Sequence, residues 1–240
     1  MSYKSPIEDF KYNLAMLNYD EIIAGIDKFK DYDSDTLMSV VSEIGRLNEL
    51  EVVDSNKIGD REGLKYLPDG PEGPEVHTPE EFKKIYQVVK ESGYVGATMP
   101  TQYGGGGAPF TTAILAGEVG IASNMAFYMG PGLSHGAMKT ILKKATEELK
   151  DKYLPNMTSG EWMGTMCLTE PQCGTDLGLI KTTAKPVDDH YELNGQKIWI
   201  SFGEHDLTEN IIHLVLARTP DAPVGIKGIS LFLVPKRLDD

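Results

Sequence analysis

The sequence predicts an α+β protein with an N-terminal all-α domain over residues 1–160 and a β-rich domain over 161–240. Up to Gly160 the apolar residues recur at helical spacing between punctuated loops; beyond it, short β-rich runs alternate with turn residues. The 240 residues suffice for a sizeable core.

In chain order, the spacing of Leu37, Val40, Val41, Ile44, Leu47 and Leu50 predicts one long amphipathic helix started by Ser34 and Asp35. The following stretch, DREGLKYLPDGPEGPEVH, carries Gly and Pro at intervals without an apolar period and predicts a long surface excursion. In HTPEEFKKIYQVVKESG, Thr78 is expected to cap, Pro79 to take the first helical position, Glu81 to complete a capping box and Gly93 to end the helix. Its apolar stripe is Phe82, Ile85, Val88 and Val89. Two helices, PFTTAILAGEVGIAS and GLSHGAMKTILKKA, and a shorter one around TEELKDKYL complete the helical part. The predicted strands are EWMGTMCLT, TTAKPV, YELN, QKIWIS, NIIHLVLAR and GISLFLVP, with a hairpin turn at Asn194-Gly195.

Charged residues make up 25% and hydrophobic residues 40%, the balance of a globular protein. A net charge of -13 disfavours nucleic acid and anionic membrane as partners. No apolar run approaches the roughly 18 residues of a membrane span, and MSYKSPIEDF does not read as a signal, so a soluble, unexported, cytoplasmic protein is expected. Cys167 and Cys173 match neither a redox CxxC nor a zinc knuckle.

The glycine run of PTQYGGGGAPF lacks both the Lys-Ser/Thr of a phosphate loop and a dinucleotide-fold context; a flexible turn leading into a helix at Pro109 is the better reading. His135 has no metal-ligand neighbours in sequence, and no GxSxG occurs. Glu170, just before Pro171, suits hydrogen bonding to turn backbone better than the role of a base.

The stretch MCLTEPQCGTD, residues 166–176, reads together with GQKIWIS. If both are strands, Cys167 and Thr169 share one face, Met166 and Leu168 the other, and Trp199 and Ser201 point the same way. Two strands ending in hydroxyls, one beside an indole, would make a surface for a flat heteroaromatic ring. The hydroxyls would donate at the ring edge and the indole would cover a face. Gly174-Thr175 would add a tight turn with backbone N–H groups for a carbonyl or phosphate. An ordinary β-sandwich core with a buried Trp is the alternative.

CLTEPQCGTD followed some twenty residues later by NGQKIWIS resembles the flavin-binding signature of the acyl-CoA dehydrogenase family. YVGATMPTQYGGGG and EELKDKYLPNMTSGEWMGTMCLTEP extend the resemblance over nearly the whole chain. GEHDLTENIIHLVLAR and the excursion before residue 78 are similar to the longer subfamily that includes 3-methylmercaptopropionyl-CoA dehydrogenase. The resemblance implies an N-terminal helical domain, a middle β-barrel domain, here incomplete, and a C-terminal helical domain expected beyond Asp240. It implies FAD as cofactor. Met166, Leu168 and Thr169 would border the isoalloxazine ring, with Thr169 at its pyrimidine end, Trp199 packed on the ring and Ser201 at the reactive nitrogen. Gly174 and Thr175 would sit where the pantetheine arm or the flavin pyrophosphate passes, and Met129 and Leu133 would line the acyl tunnel. Gln172 and Cys173 stand where small residues are usual, and Ser201 where Thr is common.

The implied activity is α,β-dehydrogenation of an acyl-CoA in fatty acid metabolism, with electrons passed to an electron-transfer flavoprotein by a homodimer or homotetramer. Acyl-CoA oxidase and a non-catalytic flavin- or acyl-CoA-binding module share the fold as alternatives. The base, normally a glutamate of the C-terminal domain, matches none of Glu118, Glu170 or Glu192. Residues 1–240 alone are therefore expected to be inactive, to hold flavin weakly and to self-associate.

Overall fold

A computed structural model describes residues 3–71 and 73–238. Helices α1 (Ile7–Met16) and α2 (Tyr19–Ala24) pack Phe10, Leu14 and Ile23 against α3 (Ser34–Leu47). The cap of α3 is Asp33, whose side chain accepts from Thr36 N–H at 2.8 Å, one residue before the expected start. The predicted helix does not run on regularly: Asn48–Val52 is a π-turn, in which Val53 N–H reaches Asn48 O at 3.0 Å. The extra residue rotates the apolar stripe, burying Val52 completely and leaving Leu50 62% exposed. After α4 (Ser55–Glu62), the predicted excursion contains an antiparallel hairpin, β1 (Lys65–Gly70) with β2 (Gly73–His77). Its residues are largely exposed, which removes the apolar alternation that would have marked it.

Helix α5 (Glu80–Glu91) buries Phe82, Ile85, Tyr86 and Val89, and Gly93 ends it at φ 74°. No capping box forms. Thr78 donates through both N–H and Oγ1 to Asp206, and Glu81 pairs instead with Lys84. The glycine loop is anchored: Gly105, Gly106, Gly107 and Ala108 donate backbone hydrogen bonds to the 96–100 segment. A Cβ on Gly105 would lie 2.2 Å from Met99 O, so glycine is required there for close approach.

The helical run α6 (Phe110–Lys144) is interrupted at Asn124 (φ -154°, ψ 89°), so two helices exist as predicted, the first ending at Ser123 as expected and the second beginning upstream of Gly132. Asn124 Oδ1 accepts from Phe127 N–H at 3.1 Å, starting the second half as an N-cap does. Asn124 Nδ2 also donates to Ser55 Oγ, which donates to Val52 O, while Ser123 Oγ donates to Asn48 Oδ1 and Asn48 Nδ2 to Ile44 O. The helix break thus satisfies polar groups at the π-turn. By length and composition α6 is long and apolar enough to cross a membrane, contrary to the expectation of none. Its buried residues, including Val119, Phe127 and Met138, lie in three separate apolar clusters, so it packs here as the central core helix.

Helix α7 (Glu147–Ser159), capped by Thr146, closes the helical part. In the β part, β3 (Trp162–Cys167) pairs parallel with β6 (Asn210–Ala217), which pairs antiparallel with β7 (Ser230–Pro235). A hairpin of β4 (Thr183–Val187) and β5 (His190–Asn194) continues from the end of β6 through Ala184 N–H to Arg218 O and Arg218 N–H to Thr182 O. Its turn is Asp188-Asp189, with Asp188 at φ 47°, rather than Asn194-Gly195. Gly195 serves another purpose: a Cβ there would sit 2.4 Å from Thr182 Oγ1. QKIWIS is not a strand, and Trp199 (φ 59°) and Phe202 (φ 53°) have left-handed backbone.

Candidate functional site

Strand β3 alternates as its sequence requires, with Met166 at 36% exposure and Cys167 buried. It ends before Leu168 and Thr169, both half-buried. Ile198 N–H donates to Thr169 O at 3.0 Å, bringing Trp199 beside Thr169 without the strand phase assumed for it. Trp199 is 86% exposed, a large unpaired apolar surface held in left-handed backbone. This rules out the buried-Trp alternative. Gly174 approaches the Thr169 side chain, at 3.5 Å from a would-be Cβ to Cγ2, and Thr175 is exposed beyond it.

Glu170 fixes this juxtaposition. Its carboxylate is 3% exposed and accepts from Lys197 Nζ (2.8 Å), Lys181 N–H (2.7 Å), Thr182 N–H (3.1 Å), Thr182 Oγ1 and Gln172 Nε2. Lys197 also donates to Leu168 O at 3.0 Å. Burial pushes the carboxyl up, but Lys197, Thr182, Lys181 and Gln172 outweigh it and hold it at about 2. A carboxylate so thoroughly occupied is a structural anchor, as the sequence suggested.

Ser201 faces a different feature, a cavity of about 420 Å³ whose lining includes Phe82, Ala126, Met129, Phe202 and His205. Gly130 makes room for the Phe202 ring, since a Cβ there would come within 2.7 Å of it. Phe202 thereby docks the 199–203 turn on α6. Met129 and Leu133 are four residues apart on α6 and share a helix face, but only Met129 lines this cavity. His205 is buried and its imidazole is lowered to about 4, by burial first and by Lys236 next. The roles of Lys197, Phe202, His205 and Asp206 left no spacing signal in the sequence; they follow only from the path of the 195–210 segment.

His135 is half-buried, with Nε2 3.2 Å from Thr98 Oγ1, and burial followed by the nearby Lys139 lowers it to about 4. Cys167 and Cys173 are free and buried, and burial raises the Cys167 thiol. No cluster of metal-ligating side chains occurs among the described residues.

Residues 71–161 match the acyl-CoA dehydrogenase N-terminal domain and residues 165–240 the acyl-CoA dehydrogenase middle domain. Among curated relatives, 3-methylmercaptopropionyl-CoA dehydrogenase of Ruegeria pomeroyi is 37% identical over 239 residues, which are 99% of this chain and 40% of that protein. Among solved structures, an electron transferring flavoprotein of Acidaminococcus fermentans superposes with TM-score 0.68 at 27% identity, covering 83% of this chain and 47% of that one. An acyl-CoA dehydrogenase complexed with FAD from Bacillus anthracis gives 0.66 at 25% identity, covering 86% and 32%. The chain thus spans about 40% of the length of the curated relative named here. The two domain matches, in the order of the helical part and the sheet, establish that the chain belongs to the acyl-CoA dehydrogenase family.

Proposed function

We propose that the protein containing this chain is an FAD-dependent acyl-CoA dehydrogenase that introduces a double bond between the α and β carbons of an acyl-CoA thioester. The observation that carries this reading is the Ile198 N–H to Thr169 O bond, which ties the residue before the exposed Trp199 to Thr169, with Ser201 two residues on in the lining of a cavity.

These residues fit a flavin. The Trp199 ring offers a face for stacking, and the hydroxyls of Thr169 and Ser201 offer donors for ring-edge acceptors. FAD, when bound, supplies the acceptor for the hydride leaving the β carbon. Met166 and Leu168 would border the ring, while Gly174 and Thr175 would flank a polar arm. The cavity, walled in part by Met129, Phe82 and Phe202, offers apolar surface to an acyl chain. Glu170 is unsuited to take the α proton, because its lone pairs are occupied and its carboxyl titrates near 2. The family resemblance gives that task to a glutamate, and none of Glu118, Glu170 or Glu192 matches its position.

An electron-transfer flavoprotein as electron acceptor, a homodimer or homotetramer, a role in fatty acid metabolism and a cytoplasmic setting complete the proposal. The test is an anaerobic titration of the FAD-loaded full-length protein with a panel of acyl-CoAs, including a sulfur-containing short chain. Bleaching of the flavin absorbance is the expected result. Flavin uptake without bleaching by any acyl-CoA would reduce the protein to a binding module, and rapid hydrogen peroxide release in air would make it an oxidase.

A further inference from the structure

Two segments that the sequence sets apart without a role, the excursion before residue 78 and the run GEHDLTEN at 203–210, meet in the fold. Asp206 is the junction. Its Oδ1 accepts from Thr78 N–H at 2.9 Å and from Thr78 Oγ1 at 2.7 Å, while Oδ2 lies 2.9 Å from Lys83 Nζ and 3.5 Å from His77 Nδ1. Thr78 follows strand β2, and Lys83 belongs to the first turn of α5, so one carboxylate ties the hairpin and the helix start to the segment carrying Ser201.

The cavity lies between these tied parts. Leu64, Thr78, Pro79 and Phe82 form one wall, and Ser201, Phe202, Glu204 and His205 another. Among the contacts that hold the second wall are Ile198 N–H on Thr169 O, the Phe202 ring in the space left by Gly130, Glu204 on Lys236, and Asp206 on Thr78. The first three fasten it to the residues after β3, to α6 and to Lys236 after β7. Asp206 is the polar contact among these that reaches the opposite wall, where Phe82 also shares an apolar cluster with Leu207 and Phe202.

We infer that Asp206, through Thr78, is a positioning residue that holds the hairpin side of the cavity closed against Ser201 and so determines how well an acyl chain is enclosed. This rests on the proposed acyl-CoA reading. Asp206 lies behind the wall and is absent from the cavity lining, so it acts through Ser201–His205 and Thr78. The Lys83 contact is partly exposed and shared with Glu80, which makes Thr78 the stronger partner. Hydrogen bonds to a charged acceptor are strong enough for loss of one to shift closure by roughly tenfold or more.

The test compares full-length wild type with Asp206→Ala, which removes the acceptor of both Thr78 donors from behind the wall, and Asp206→Asn, which keeps one acceptor oxygen for Thr78. The first readout is the ratio of the Kd for free CoA to that for hexanoyl-CoA, which isolates the acyl contribution. In Asp206→Ala the ratio should fall about tenfold with CoA affinity unchanged, and Asp206→Asn should retain most of it. Equal weakening of CoA and hexanoyl-CoA, or equal damage by both substitutions, overturns the inference. The second readout is amide hydrogen exchange over 65–77 and 201–210, expected to rise in Asp206→Ala and to stay near wild type in Asp206→Asn. A wild-type protein with no preference for hexanoyl-CoA over CoA counts against the proposed function, and exchange then decides the clamp separately: unchanged protection in Asp206→Ala refutes it.

Discussion

Replacing Glu170 by Gln tests whether the pairing of the 166–176 and 195–201 segments is held by charge. The substitution preserves size and one acceptor oxygen, but it turns an NH₂ group toward a site crowded with donors from Lys197, Thr182, Lys181 and Gln172. Holding a carboxyl at about 2 instead of its ordinary 4.5 corresponds to roughly 3 kcal/mol of native-state stabilisation. The folded value is the depressed one, so the contribution is fully present above pH 4.5 and disappears as pH falls through 2. About half of it should remain at pH 3. Thermal unfolding of wild type and Glu170→Gln by circular dichroism at pH 7 should therefore differ by about 3 kcal/mol, or roughly 6–12 °C in Tm for a chain of this size. The gap should narrow to roughly half at pH 3. A gap below about 1 kcal/mol at pH 7, or one of constant size between pH 7 and 3, would refute the anchoring argument.

Trp199→Ala should leave Tm nearly unchanged, because the indole is 86% exposed, yet lower FAD retention severalfold in equilibrium dialysis. Gly195→Ala drives a methyl to 2.4 Å from Thr182 Oγ1 and should cost about 1–3 kcal/mol in chemical denaturation, with a matching loss of flavin affinity as the 195–199 strip lifts from Thr169. Asn124→Ala removes the cap of the second half of α6 and the donor to Ser55 Oγ, and should cost about 1–2 kcal/mol by the same measurement; Asn124→Ser should recover part of it.

The helices were legible where burial imposes a period, as with the Phe82, Ile85 and Val89 stripe of α5. They were misread where side chains from distant segments decide the local structure. The π-turn at Asn48 depends on Ser123, 75 residues away, and the Thr78 cap is lost to Asp206, 128 residues away. The hairpin β1–β2 escaped because its faces are mostly solvated. Of the candidate residues, Thr169, Trp199 and Gly174 come together in the fold, whereas Ser201 and Met129 meet at a neighbouring cavity and Leu133 is absent from its lining.

The segment GQKIWIS shows why a signature can locate a site while the local structure inferred for it is wrong. Its β-branched and aromatic residues favour a strand, and a strand would have put Trp199 and Ser201 on one face. The fold instead bends the segment away after Ile198, with Trp199 and Phe202 both at positive φ, a conformation that costs of order 1–3 kcal/mol for each non-glycine residue. Such strain persists only where the surroundings over-determine it. Here they do: Lys197 is fixed by Glu170 and Leu168 O, Ile198 by Thr169 O, and the Phe202 ring by the space beside Gly130. Together these contacts leave the indole outside the core and turn Ser201 toward the cavity. A regular strand would satisfy propensity but would pair the segment's backbone with a neighbour instead of freeing Trp199. The departure from propensity is therefore what makes the surface available to a planar ligand.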